Sequence, residues 1–217
     1  MGLALLELGY NVLGARLDMA APLLKGNKAP ALKLAGEFDA LQDVPWAALY
    51  KELDQLYPNS KFILTVRNEK DWLYSASSHF KDVHIPLHEW LYSKGVLRGN
   101  EELYAVRYRR HYEDVKDYFR GRNDLLIMDF SKGDSWEKLC DFLKEPIPLK
   151  SFPYANKGKH NYNFKDKALR FLRKIVPAPI RNARIYLLEN MGLHRGRNRF
   201  NNEEANRERH LLRKNKK

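Results

Sequence analysis

The segment Lys61-Phe-Ile-Leu-Thr-Val-Arg67-Asn-Glu-Lys-Asp-Trp72-Leu-Tyr-Ser75 constrains the fold of this chain more than any other. Five consecutive apolar or β-branched residues end in an arginine. That run reads as a strand covered on both faces, as in a parallel sheet. A turn follows, then a helix carrying Ser75. Open parallel sheets bind ligands outside the carboxyl edge of their strands. An arginine fork at that edge and a hydroxyl on the next helix can grip one phosphate from two sides. The plainer reading is that Arg67 pairs with a neighbouring carboxylate.

The remaining pattern alternates strands and helices, which predicts a parallel sheet flanked by helices. A helix is expected over Gly2–Leu8, stopped by Gly9, then a strand over Asn11–Gly14. A helical stretch over residues 19–35 should break near Gly26-Asn27. Phe38–Gln42 reads as a strand. Asp43-Val-Pro45 reads as the cap and first turn of a helix from Trp46 to Leu56. Helices are expected over Asp71–Phe80 and Glu101–Phe119, a strand over Asp124–Asp129, and a helix to Leu143 capped by Ser135. On the helix over 101–119 the apolar residues are Leu103, Val106, Tyr108, Tyr112, Val115 and Phe119.

Charge divides the chain. Residues 165–217 hold 16 Lys/Arg against 5 Asp/Glu, whereas residues 1–164 hold 23 against 22. Of the formal charge of +12, +11 therefore belongs to the C-terminal quarter. We expect an α/β domain over 1–164, then a basic helical extension over 165–217 whose last part, from His194, is a solvated tail. Such a tail is compatible with an anionic surface or polymer as partner. The single cysteine, Cys140, excludes an internal disulfide and suggests a buried thiol in a reducing compartment. No apolar run approaches the roughly 20 residues that span a bilayer. The apolar start carries Glu7 and lacks a basic leader, so the chain as given reads as cytoplasmic.

Two residues are candidates for proton transfer. Asp43 follows a strand and should stand at the ligand-binding edge, although an aspartate there can equally be a helix cap. His111 lies mid-helix among Arg107, Arg109, Arg110 and Glu113, and histidine titrates near neutral pH, although such a histidine is more often a surface or packing residue. His79, His84 and His88 are spaced by five and four, but Pro86 interrupts them and no carboxylates complete a ligand set, so no metal is expected. Trp72 and Tyr74 flank the helix that follows Arg67 and can stack on a base, although the plainer reading makes one core and the other partly exposed. The basic run Asn156-Lys157-Gly158-Lys159-His160 reads as a solvated linker.

Taken together, four blocks resemble the nucleotide-dependent sulfotransferase family. They are Phe38-Asp-Ala-Leu-Gln-Asp43-Val-Pro45-Trp46, Tyr57-Pro58 through Arg67, Trp136-Glu-Lys-Leu-Cys140-Asp-Phe142-Leu, and Phe152-Pro153-Tyr154-Ala155-Asn156. The resemblance runs from about residue 2 to 160. It implies a three-layer fold like that of the nucleoside triphosphate hydrolases. It also implies that Arg67 and Ser75 bind the 3′-phosphate of 3′-phosphoadenosine 5′-phosphosulfate, the sulfuryl donor, with no metal required. In that family a strand and a Gly/Ser/Thr/Lys-rich loop hold the 5′-phosphosulfate ahead of the helix matching Met1–Tyr10. No glycine-rich phosphate loop occurs in these residues. The expectation is thus a sulfotransferase-family chain, acting on a hydroxyl or amine acceptor, without its N-terminal strand and inactive as given. Alternatives are a non-catalytic nucleotide-binding or interaction protein, or an anionic-polymer binder acting through the tail.

Overall fold

In the computed structural model, residues 1–153 are described. Their elements alternate as the sequence predicts. Helix α1 (Gly2–Glu7) leads to β1 (Val12–Leu13), α2 (Ala20–Leu24), α3 (Ala29–Ala35) and β2 (Ala40–Leu41). Then come α4 (Tyr50–Leu56), β3 (Phe62–Thr65), α5 (Glu69–Phe80), α6 (Pro86–Tyr92) and α7 (Glu101–Tyr118). The last elements are β4 (Leu125–Met128) and α8 (Trp136–Leu143). The extension beyond residue 164 lies outside the described residues, as does the basic run from Asn156.

The four strands form two parallel pairs, β1 with β2 and β3 with β4, rather than one continuous sheet. Helices cover both faces of the β3–β4 pair. On one face Ile63, Leu126 and Met128 meet Ala4 of α1 and Trp136, Leu139 and Cys140 of α8. On the other, Phe62, Leu64 and Leu125 meet Tyr50, Val115 and Phe119 from α4 and α7. Period-2 alternation sends odd and even strand residues to opposite layers, which makes this an α/β three-layer arrangement. Burying a side chain such as Leu64 or Leu139 contributes about 1.5–3 kcal/mol each.

Hydrogen bonding shows where the strands stop pairing. Ala40 and Gln42 donate their N–H to Asn11 and Leu13 across the first pair. Phe62 and Val66 donate to Asp124 and Met128 across the second. Alternate residues of a parallel strand address opposite neighbours. Leu41, Ile63 and Thr65 therefore turn their backbone groups away from their paired strand. A recess of about 1450 Å³ is lined by both pairs, including Ala40, Leu41 and Phe62–Thr65.

Several local expectations need correction. Asp43 does not cap a helix. A short 3-10 turn over Trp46–Ala48 precedes α4, neither has a side-chain cap, and the Asp43 carboxylate takes a hydrogen bond from Gln42 Nε2 instead. Ser135 stands at the N-cap of α8, but its hydroxyl donates to Glu137. Helix α6 was not expected: Pro86 opens it rather than breaking a pattern, because a proline at the first helical position loses no hydrogen bond. On α7 the buried residues are Tyr104, Ala105 and Val115, while Leu103 is exposed. Cys140 is buried as expected.

Candidate functional site

Arg67 stands one residue beyond Val66, at the carboxyl edge of β3, and lines the recess. The chain must leave the strand here, and two tyrosines of α7 fix how it does so. Tyr112 donates its hydroxyl to the Thr65 carbonyl at 2.8 Å and accepts from the Arg67 N–H at 3.0 Å. The Tyr108 hydroxyl lies 2.8 Å from the Arg67 carbonyl and 2.9 Å from the Tyr112 hydroxyl. Asn68 then caps α5, its side chain accepting from the N–H of Lys70 and Asp71.

The Arg67 guanidinium has no ion-pair or hydrogen-bond partner among the described residues. Of the unpaired arginines, Arg67 and Arg107 line the recess, whereas four other arginines are held by carboxylates. Arg16 pairs with Asp18, Arg109 with Glu69 and Glu102, Arg120 with Asp117, and Arg122 with Asp54 and Asp124. The carboxylate pairing that was the plain expectation for Arg67 is not what forms. An unpartnered guanidinium in a concave site is suited to an anionic ligand.

Ser75 is exposed and does not line the recess. It lies three and four positions along α5 from Trp72 and Asp71, which do, and so shares their side of the helix. Trp72 stacks on Tyr108 with ring centroids 4.3 Å apart, while Tyr74 is 77% exposed.

Asp43 and His111 both line the same recess as Arg67. Asp43 follows β2 with a left-handed backbone, φ 66°. Asp43 is exposed at the recess, and the neighbouring protein pushes its pKa upward from the ordinary carboxylate value, while the hydrogen bond from Gln42 opposes this. His111 is half-buried, with its ring edge-on to Tyr50 at 5.9 Å. Burial, reinforced by the positive charge of Arg107 and opposed by Asp114, holds its pKa below the usual value. It is therefore neutral at pH 7 and able to accept a proton. A carboxylate made more basic and a neutral imidazole are both suited to proton transfer.

None of the three other clustered histidines lines the recess. His88 is 5% exposed, packed against Phe80, Tyr92 and Tyr104. His84 faces Glu89 at 3.3 Å, and His79 lies against Phe80. Among the described residues no group of three or more His, Cys, Asp or Glu is placed to hold a metal. No helix among them is long and apolar enough to cross a membrane.

Sequence reasoning missed the tyrosine pair Tyr108–Tyr112. Its signal was present as two tyrosines four apart on a helix, but nothing local indicates that they clasp the end of β3. It also left Arg107 as a mere neighbour of His111, although Arg107 lines the recess.

Comparison with known proteins gives two findings. The family model described as a sulfotransferase domain matches residues 3–161. Ava biosynthesis cluster protein M of Aspergillus versicolor is 25% identical over 144 residues, which cover 56% of this chain and 55% of that protein. The chain thus spans about half the length of this curated relative.

Proposed function

The chain belongs to the sulfotransferase domain family, and from that premise we propose that its recess binds 3′-phosphoadenosine 5′-phosphosulfate and directs the sulfuryl group to an acceptor. In this reading the Arg67 fork takes the 3′-phosphate at the end of β3, and the Ser75 hydroxyl approaches it from α5. The observation that carries the reading is the Arg67 guanidinium itself, left without a carboxylate in the recess at the carboxyl edge of β3.

Sulfuryl transfer needs an in-line approach of acceptor to sulfur, and a group to take the acceptor's proton. His111, neutral at pH 7, is the proposed base. Asp43 is proposed to orient the acceptor hydroxyl or amine, or to share its proton.

Isothermal titration with adenosine 3′,5′-bisphosphate tests the nucleotide assignment. A charge-assisted contact contributes about 1.5–3 kcal/mol, so Arg67→Ala should weaken binding roughly ten- to a hundred-fold. Equal affinity in the parent and variant would remove Arg67 from the site.

A further inference from the structure

Helix α7 presents a second cation to the recess. Arg107 is half-buried and lines it. Its helical neighbours at three and four positions are Leu103, Tyr104, Arg110 and His111, none of them acidic. Among the described residues its guanidinium has no hydrogen-bond or ion-pair partner. A guanidinium partly withdrawn from water without a counter-charge is unfavourable, and a bound anion relieves that cost.

The surroundings of Arg107 are aromatic. Its charge reaches the Tyr50 and Tyr92 hydroxyls and the His111 ring, all of which line the recess. Tyr92 is stacked on Tyr104 at 3.8 Å, and the stacked pair Trp72–Tyr108 lines the same space. Aromatic walls with a few convergent polar groups suit a flat ring held in one orientation. His111, four residues on, shares the helix face of Arg107.

We propose that Arg107 is the anion seat of the acceptor subsite, and that the acceptor is an aromatic hydroxy acid. Its carboxylate rests on Arg107, its ring lies among the tyrosines, and its hydroxyl addresses His111. This deepens the sulfuryl-transfer reading and rests on it. In the step, the hydroxyl proton passes to the free nitrogen of neutral His111. The oxygen bonds to sulfur as the bond from sulfur to the donor's phosphate oxygen breaks. That electron pair leaves with the nucleotide bisphosphate, and the product is an aryl sulfate.

Binding on the full chain tests this without turnover, with 4-hydroxybenzoate, its neutral analogue 4-hydroxybenzamide, and adenosine 3′,5′-bisphosphate as probes. The unmutated chain should bind the benzoate about ten-fold more tightly than the amide. Arg107→Gln should abolish that preference and leave nucleotide affinity unchanged. Arg107→Lys should retain part of the preference, which keeps the test valid if the glutamine variant misfolds. A second readout is the His111 titration by NMR. The charges facing His111 are Arg107 and Asp114 from its own helix, with the Tyr50 ring against it from α4. Removing or neutralising the Arg107 cation should raise the His111 pKa, so both Arg107→Gln and bound 4-hydroxybenzoate should move it upward. No preference for benzoate, or an unmoved His111, would overturn the proposal. So would an Arg107→Gln variant that loses the nucleotide but keeps the benzoate, because the seat would then belong to the donor. Unimpaired nucleotide binding by Arg67→Ala would instead overturn the donor assignment and leave the Arg107 seat standing.

Discussion

Replacing Tyr112 with phenylalanine should loosen the edge of β3 from which Arg67 projects. The hydroxyl it removes donates to the Thr65 carbonyl at 2.8 Å and accepts from the Arg67 N–H at 3.0 Å. A typical intramolecular hydrogen bond contributes about 0.5–1.5 kcal/mol net. Thr65 and Arg67 are exposed, so water can partly replace the lost partner. Two bonds at the lower part of that range predict a loss of about 1–2 kcal/mol. For a chain of this size that corresponds to a melting temperature lower by roughly 3–6 °C. Urea denaturation of the parent, Tyr112→Phe, Tyr108→Phe and the double variant would measure it. The two hydroxyls lie 2.9 Å apart and share the Arg67 turn, so the single losses should not add. Adenosine 3′,5′-bisphosphate affinity should fall along with stability, because Arg67 would lose its fixed exit angle. A Tyr112→Phe chain as stable as its parent, with strictly additive effects in the double variant, would refute the idea of a tyrosine clasp.

Two further outcomes follow from the same geometry. Burial, helped by the charges of His84 and His79, lowers the His88 pKa from 6.5 to about 4. The unfolded chain therefore binds more protons in that window, and the stability held above pH 6.5 is lost as pH falls toward 4, by about 3 kcal/mol. Urea midpoints at pH 7 and pH 4 should converge for His88→Leu relative to the parent, and an identical pH dependence in both would contradict this. Asp43 does not cap a helix, so Asp43→Asn should change stability by less than about 0.5 kcal/mol. In a sulfuryl-transfer-competent preparation the same change should depress turnover, and unaltered turnover would leave Asp43 without a chemical role.

The alternation of strands and helices was legible because local signals carry it. The apolar run Phe62–Thr65 could only be a covered strand, Gly9 and Gly26 adopt the positive φ that ends a helix or turns the chain, and Asp124–Asp129 brackets β4. Arg67 at the strand end was readable for the same reason. What escaped the sequence depends on tertiary contacts. The Asp43 turn looks like a cap, yet a left-handed backbone and a 3-10 turn send the carboxylate into the recess instead. Helix α6 was obscured because Pro86 breaks a helix when internal and starts one when first. Tyr104, which is buried on α7, was not among the positions read as apolar, because tyrosine is amphipathic and only the packing decides which of Tyr104, Tyr108 and Tyr112 goes inward. Whether Arg67 and Arg107 find carboxylate partners is likewise a matter of which acids the fold brings near, and spacing along the chain does not encode it.

The most direct measurement is a crystal structure of the chain with adenosine 3′,5′-bisphosphate bound. The account predicts the 3′-phosphate at the carboxyl edge of β3, with the Arg67 guanidinium within about 3 Å of its oxygens and the Ser75 hydroxyl turned toward it. A nucleotide seated away from β3, or one whose phosphates leave Arg67 untouched, would contradict it.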